Sequence, residues 1–248
     1  TFHFLKASKM KLATILKGEK IQILIPVILF FLCTASMQQL NAQYSIWSFE
    51  AGPSLGFQRW NSVGSTQPLL GLHGSVAVES YEPGKPFAFF AELAYHQRGS
   101  SQRVNGGQTQ NGVNYDGFTI KNRFHNLSFA LGGRKSFGPD FRYFYSLDLR
   151  AEYTLDYELS NYFQGFDDFV RKFNYGLDVG GGINIPLGFH MGFIDLQLQP
   201  DLSRQIYSLR FAGQDYQGNN IIYPEQKVVN YSLELSVGIR INGNLDAE

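Results

Sequence analysis

Residues Phe141 to Asp156 (FRYFYSLDLRAEYTLD) alternate with a period of two for longer than a water-soluble strand requires. One row reads Phe141, Tyr143, Tyr145, Leu147, Leu149, Ala151, Tyr153, Leu155. The other reads Arg142, Phe144, Ser146, Asp148, Arg150, Glu152, Thr154, Asp156. Successive strand side chains point to opposite faces, so the segment carries one apolar wall and one charged wall. Strands of soluble domains run to about five or six residues, whereas a tilted strand crossing hydrocarbon needs about nine to eleven. A chain built from such segments folds as a transmembrane β-barrel.

The alternation recurs along the chain. Strands are expected at about 45–58, 70–81, 87–97, 124–135, 141–156, 173–185, 192–203 and 228–241, with no stretch of convincing helical period after residue 42. The connections alternate in length. Residues 82–86 (EPGKP), 136–140 (SFGPD) and 186–191 (PLGFHM) are tight and turn-like, while 59–69, 98–123, 157–172 and 206–227 are long and polar. Short turns at one end and long loops at the other are the pattern of outer-membrane barrels. The expected fold is therefore all-β: an eight-stranded antiparallel up-and-down transmembrane β-barrel. An even strand count places both termini in the periplasm.

The first 42 residues differ from the rest. Lys11, Lys17 and Lys20 precede an apolar run from Ile23 to Cys33, followed by a polar stretch ending at Ala42. A basic start, a short apolar core and a small residue at the cut are the parts of a cleavable secretory signal peptide. The run is shorter than a spanning helix and contains Pro26. Residues 1–42 are read as the signal and 43–248 as the barrel domain. Residues 1–9 precede a plausible initiator, Met10. Five of the 21 basic residues and one of the 21 acidic ones lie in the signal, which leaves 16 against 20 and a net charge of −4. No strongly basic face remains for nucleic acid. The one cysteine, Cys33, is in the signal, and the bulky Phe30-Phe31-Leu32 before it does not suit lipid attachment.

Alternation alone does not say which row meets lipid. The five lysines after residue 42 (Lys85, Lys121, Lys135, Lys172, Lys227) all fall in turns, loops or strand ends. The polar row mixes small residues with ionisable ones, which suits the narrow, side-chain-filled interior of an eight-stranded barrel. Trp47, Phe57, Phe87, Tyr95, Phe141, Tyr153, Phe173 and Tyr231 lie toward strand ends of the apolar row, where they would form interfacial girdles. The apolar row is therefore read as lipid-facing, with outer-membrane lipid as the surrounding partner.

With that assignment the interior row gathers Glu50, His73, Glu79, Glu92, His96, Arg134, Arg142, Asp148, Arg150, Glu152, Asp178, Asp195, Asp201, Glu234 and Arg240. Such a set could line an ion path, or it could form a salt-bridge lattice that plugs the lumen. The plug is favoured, because an unpaired charge in such a space costs several kcal/mol.

Four motifs resemble those of a known family: the signal ending Asn41-Ala42-Gln43, the opening strand FEAGPSLGF (Phe49 to Phe57), RFHNLSFALGG (Arg123 to Gly133) and the last strand YSLELSVGIRI (Tyr231 to Ile241). They are similar to those of the small outer-membrane barrels of Bacteroidota described as PorT-like or as outer-membrane protein beta-barrel domain. The resemblance spans nearly all of the mature chain and implies the barrel fold and an outer-membrane location. PorT is associated with protein export by the type IX route, so a component of such machinery is one implied alternative.

Catalytic and cofactor signals are weak. His73 and Ser75 invite comparison with the His-x-Ser pair of lipid A deacylase barrels, but there the pair faces lipid and here it falls on the interior row. His125 and Ser128 fall on opposite faces. His73, His96, His125 and His190 lack metal-ligand spacing, and Asp167-Asp168 is an isolated acidic pair. Gly132-Gly133 and Gly180-Gly181-Gly182 relieve crowding rather than cradle phosphate, since no helix follows. No cofactor or metal is called for. The loops 98–123, rich in Gly, Asn, Gln and Ser, and 157–169, aromatic and acidic, could dock an envelope protein or another ligand. The expected role is non-enzymatic: a structural or interaction protein of the cell envelope, or a ligand-binding or adhesion barrel using its loops.

Overall fold

The computed structural model describes residues 44–61, 66–82, 84–108, 112, 114–214 and 218–242. The signal expected at 1–42 and the tail 243–248 lie outside the described residues. Thirteen strands follow in order: β1 (Tyr44–Trp60), β2 (Gln67–Tyr81), β3 (Phe87–Val104), β4 (Gly107–Gln108), β5 (Asn114–Tyr115), β6 (Phe118–Phe137), β7 (Tyr143–Glu158), β8 (Phe173–Leu187), β9 (His190–Pro200), β10 (Ile206–Ser208), β11 (Phe211–Gln214), β12 (Asn220–Tyr223) and β13 (Gln226–Asn242). Two 3-10 segments, Pro139–Phe141 and Asn161–Phe169, lie between strands.

Eight strands, β1-β2-β3-β6-β7-β8-β9-β13, pair antiparallel with their neighbours, and β1 pairs with β13 to close the ring. Hydrocarbon offers backbone N–H and C=O groups no partner, so a membrane sheet must leave no open edge. Each strand opens within four residues of its expected start except β6, which begins at Phe118 rather than 124. Most of the difference is extension at the long-loop end. β3 and β6 pair without interruption from Phe87↔Lys135 to Val104↔Phe118, so much of the loop expected at 98–123 is a continuation of the barrel wall.

The apolar row is outside. Leu149 is 66% exposed and Val237 63%, and Leu70, Leu72, Leu147, Val179, Leu196, Leu198 and Leu235 join them in one apolar wall. Their neighbours Ser146, Asp148, Arg150 and Glu152 are buried in the bore. This inverts a water-soluble barrel, whose apolar side chains point inward, and it is the arrangement hydrocarbon demands. Phe87 and Phe89 at the short-turn end, and Phe57, Tyr95, Phe173 and Tyr175 toward the other, mark the edges of the wall. Tyr153 departs from the expected girdle, being buried against its neighbours.

A bulge in β7 changes one further assignment. β6 and β7 pair His125↔Asp156 and then Asn126↔Thr154, leaving Leu155 as an extra residue. One inserted residue reverses the facing of all that follows. Asp156 is therefore exposed, whereas Tyr157 turns inward and stacks on Phe124 at 6.0 Å between centroids.

The wall makes a direct test of the lipid-facing assignment. Leu149→Arg is expected to cost about 2–4 kcal/mol of folding free energy in a bilayer. Folding yield into phosphatidylcholine vesicles, followed by tryptophan fluorescence against urea, measures it, and an unchanged transition would place that wall in water.

Candidate functional site: the filled bore

Fourteen of the fifteen residues assigned to the interior face the bore. The exception is Arg142, which follows the Pro139–Phe141 turn and is exposed, so it takes no part in the interior lattice. The strand begins only at Tyr143, because Gly138, Asp140 and Phe141 adopt positive φ and turn the chain over. Extrapolating the alternation back across that turn misplaced the arginine.

The remaining residues stack in tiers along the bore. Nearest the short turns, Glu79 lies between two guanidiniums, paired with Arg134 and accepting from Arg240 Nε at 3.2 Å. Three phenylalanines of the polar row, Phe90, Phe144 and Phe193, fill the space around them. Arg240 lies 4.4 Å from the Phe193 ring centroid and Arg134 4.8 Å from that of Phe144. One carboxylate and three aromatic faces thus hold two buried cations together, the ring quadrupoles supplying part of the negative field. The rings fit because their neighbours are glycine: a Cβ on Gly238 would come within 2.3 Å of the Phe193 ring, and one on Gly182 within 2.6 Å of Phe144. The glycine run 180–182 thereby serves packing.

The next tier is acidic. Glu50 and Glu92 are half-buried in the bore, and among the described residues neither has an ion-pair partner within 4.0 Å. Asp195 accepts from Gln197 Nε2 at 3.0 Å through one oxygen while the other has no hydrogen-bond donor. Asp148 sits opposite Asp178 in the β7–β8 ladder, with one oxygen likewise lacking a donor.

Above it is a hub on Glu234. Its carboxylate accepts from Ser54 Oγ at 3.1 Å and Gln199 Nε2 at 3.1 Å and contacts His96 Nδ1 at 2.9 Å. His96 Nε2 lies 2.8 Å from Ser128 Oγ, and His73 Nε2 lies 2.7 Å from Ser236 Oγ, the two imidazoles stacked at 6.1 Å. Ser128, His96 and Glu234 thus align as hydroxyl, imidazole and carboxylate, the arrangement that activates a serine nucleophile. Chemistry would also require a space for the reacting carbonyl and donors for its oxyanion. Here all three side chains are buried. The hydroxyl is further held 3.4 Å from the Ala94 carbonyl. Ser75, considered with His73 in the sequence, lies opposite Glu50 instead.

The strongest lattice follows. Arg150 donates through Nε to Asp178 at 2.9 Å, through Nη2 to Asp201 at 2.8 Å, and pairs with Glu152. Arg98, 0% exposed, donates to Asp201 Oδ1 at 3.1 Å, lies 3.4 Å from Glu152 and donates to Gln199. Asn126 and Asn230 donate to Glu152 and Asp201 at 2.8 and 3.1 Å. Arg98 was placed in a loop by its sequence, although it continues the inward row Glu92, Ala94, His96. That row was the signal available. The neutral donors Gln58, Asn126, Asn174, Gln199 and Asn230 lie on the polar row that alternation marks, but carry no charge pattern that would single them out for the lattice; Gln205 falls in a segment read as non-strand.

At the long-loop end the bore is closed by apolar side chains. Trp60, Ile120, Phe124, Phe163, Phe166, Ile206 and Val228 form a buried cluster, with Trp60 and Phe163 at 4.6 Å between centroids. Tyr157, Phe163, Phe166 and Phe169 of the 157–169 connection are therefore packed onto the barrel mouth. Among the described residues no group of three or more His, Cys, Asp or Glu side chains is arranged to hold a metal ion.

A closed antiparallel ring with a polar, packed interior and an apolar exterior is an outer-membrane β-barrel. The chain belongs to the family described as outer membrane protein beta-barrel domain, whose sequence model matches residues 37–199. No curated protein sequence matches it. Solved barrels of similar outline include OprG from Pseudomonas aeruginosa, 9% identical, TM-score 0.45, covering 79% of this chain and 96% of that one. Ail, the attachment invasion locus protein of Yersinia pestis, was solved with the heparin analogue sucrose octasulfate. It is 11% identical with TM-score 0.40, over 79% of this chain and 99% of that one. The outer membrane protease OmpT from Escherichia coli is 9% identical with TM-score 0.40, over 82% and 97%. At these identities no functional residue is carried across.

Breaking the Arg98 and Arg150 lattice from one side leaves an uncompensated buried charge. Arg98→Met is expected to destabilise the folded barrel by about 3–5 kcal/mol. Glu92→Gln removes an ionisable carboxyl that the acidic tier disfavours in its charged form, and is expected to raise the unfolding midpoint at pH 8, where the unfolded chain would ionise it. Urea titration of both variants in detergent micelles compares them; equal losses would mean that the two tiers are electrostatically equivalent.

Proposed function

We propose that this protein is a non-enzymatic, non-conducting outer-membrane barrel that serves the cell envelope as a structural or interaction protein. In this reading residues 1–42 are its export signal, both termini are periplasmic, and the long connections face the outside.

The observation that supports it is the filling of the bore at three levels, including both ends. Paired arginines among phenylalanine rings occupy the short-turn end, the arginine and carboxylate lattice occupies the middle, and a tryptophan and phenylalanine cluster covers the other mouth. An ion path needs a connected file of water, and a serine nucleophile needs an approach for its substrate. The filling at the two ends speaks against both. The Ser128, His96 and Glu234 alignment then serves to satisfy buried polar groups, each of which would cost about 1–3 kcal/mol if left unmade.

The long-loop end extends well beyond the wall. β3 and β6 have 18 and 20 residues, where about 9–11 cross the hydrocarbon. Their projecting hairpin, continued by β4–β5, and the β11–β12 hairpin packed on the mouth present a surface on which envelope proteins could assemble. The narrower placement among PorT-like barrels, with its export role, rests on the sequence motifs Phe49 to Phe57, Arg123 to Gly133 and Tyr231 to Ile241. Mild crosslinking in the membrane, followed by identification of copurifying proteins, separates an export component from an adhesion barrel.

Purified protein in a planar bilayer is expected to give no stable conductance steps, and reproducible steps would overturn the plug. A fluorophosphonate probe for nucleophilic serines is expected to leave Ser128 and Ser236 unmodified in the folded barrel. Labelling of Ser128 that disappears in His96→Asn would make the site catalytic.

A further inference from the structure

On the outer wall at the long-loop end, one side of the barrel concentrates cations at the edge of the apolar surface. After β9 the chain bulges toward β8: Leu202 N and Ser203 N both donate to the Tyr175 carbonyl, and Arg171 N donates to that of Gln205 at 2.8 Å. Ser203 and Gln205 turn into the bore, so Arg204 between them turns out and is exposed. Tyr207 follows on the same outer face, beyond the fully buried Ile206. Arg204 lies 4.9 Å and Arg171 5.3 Å from the Tyr207 ring centroid, so two guanidiniums share one ring. Lys227 is directly opposite Tyr207 in the β10–β13 ladder, and exposed Arg59 is opposite Val229 on the other side of β13. Exposed Phe57, Leu202, Phe173 and Tyr175 lie on the same side of the wall.

Four cations thus gather on one face. Among the described residues the ion pair made by this group is that of Lys227 with Glu225 at 2.9 Å, while Arg59, Arg171 and Arg204 have no carboxylate within 4.0 Å. Asp167 and Asp168 are exposed on the preceding 3-10 segment and pair with none of them. Like charges drawn together around one ring repel unless an anion joins them. Guanidiniums bind phosphate through paired, charge-assisted hydrogen bonds, and an aromatic ring beside the apolar wall sits at headgroup depth.

We propose that the outer face formed by Arg59, Arg171, Arg204 and Tyr207 binds the phosphate of a lipid headgroup in the outer leaflet. The site rests on the reading above that the long connections face outside. It would fasten the barrel to phosphorylated glycolipid on one side, at a fixed depth.

Native mass spectrometry of the barrel in detergent micelles tests this with three probes: bisphosphorylated lipid A, the same lipid after phosphatase treatment, and inorganic phosphate. The wild type is expected to retain the phosphorylated lipid, and the Arg171→Gln/Arg204→Gln double variant to retain it roughly tenfold less. Arg103→Gln/Lys121→Gln, which removes two exposed cations elsewhere at the same end, should bind as the wild type does. Equal retention by both double variants, or equal retention of the dephosphorylated lipid, would overturn the proposal. So would variant-sensitive binding of inorganic phosphate, which would mark a site for soluble anions. Heat-modifiable migration on gels reports folding of every variant. A wild type that folds only outside micelles would sink the barrel reading itself, and that result is distinct from a folded barrel without lipid preference.

Discussion

Closure of β1 onto β13 is the constraint from which the rest of the molecule follows. A sheet in hydrocarbon cannot leave N–H and C=O groups along an open edge, since no water reaches them. Eight strands are the number at which a closed ring encloses little more than its own side chains. Closure therefore decides two things at once. Every second residue faces lipid and must be apolar, and the remainder share a narrow space that must be filled.

How the space is filled follows from the chemistry of the polar row. The bore holds nine carboxylates (Glu50, Glu79, Glu92, Asp148, Glu152, Asp178, Asp195, Asp201, Glu234) and four guanidiniums (Arg98, Arg134, Arg150, Arg240). The arginines are shared out at two levels. Arg150 alone bridges three carboxylates, and Arg134 and Arg240 are held between Glu79 and aromatic rings. The surplus of negative charge falls in the tier of Glu50, Glu92 and Asp195, where Glu50 and Glu92 are half-buried and Asp195 is buried with one oxygen lacking a donor. The bore is thus not uniform. Charge is least compensated in the acidic tier, between the Glu79 level and the Glu234 hub.

The same division shapes the two mouths and the rim. Phe163, Phe166 and Phe169, which looked available for ligands in the 157–169 connection, pack instead in the cluster around Trp60, because the mouth of a filled bore still needs an apolar cover against Phe124 and Val228. On the outer wall, Arg171 and Arg204 flank Tyr207.

The chain by itself determined the fold class, the eight strands, the lipid-facing row and nearly all of the interior charges, because a period of two is a local property and hydrocarbon permits one solution to it. It also determined the short and long ends, since turn chemistry is written in EPGKP, SFGPD and PLGFHM. Tertiary structure alone decided the partners. Arg98 looked like a loop residue until β3 and β6 were seen to pair past it, Arg142 looked internal until the turn at Gly138 to Phe141 removed it, and Asp156 changed face through the single extra residue Leu155. Pairing of Arg98 with Asp201, or of His96 with Glu234, joins residues more than a hundred positions apart in the chain. Which acid meets which base depends on strand register and on bulges summed around the ring, and alternation within one strand carries no record of either.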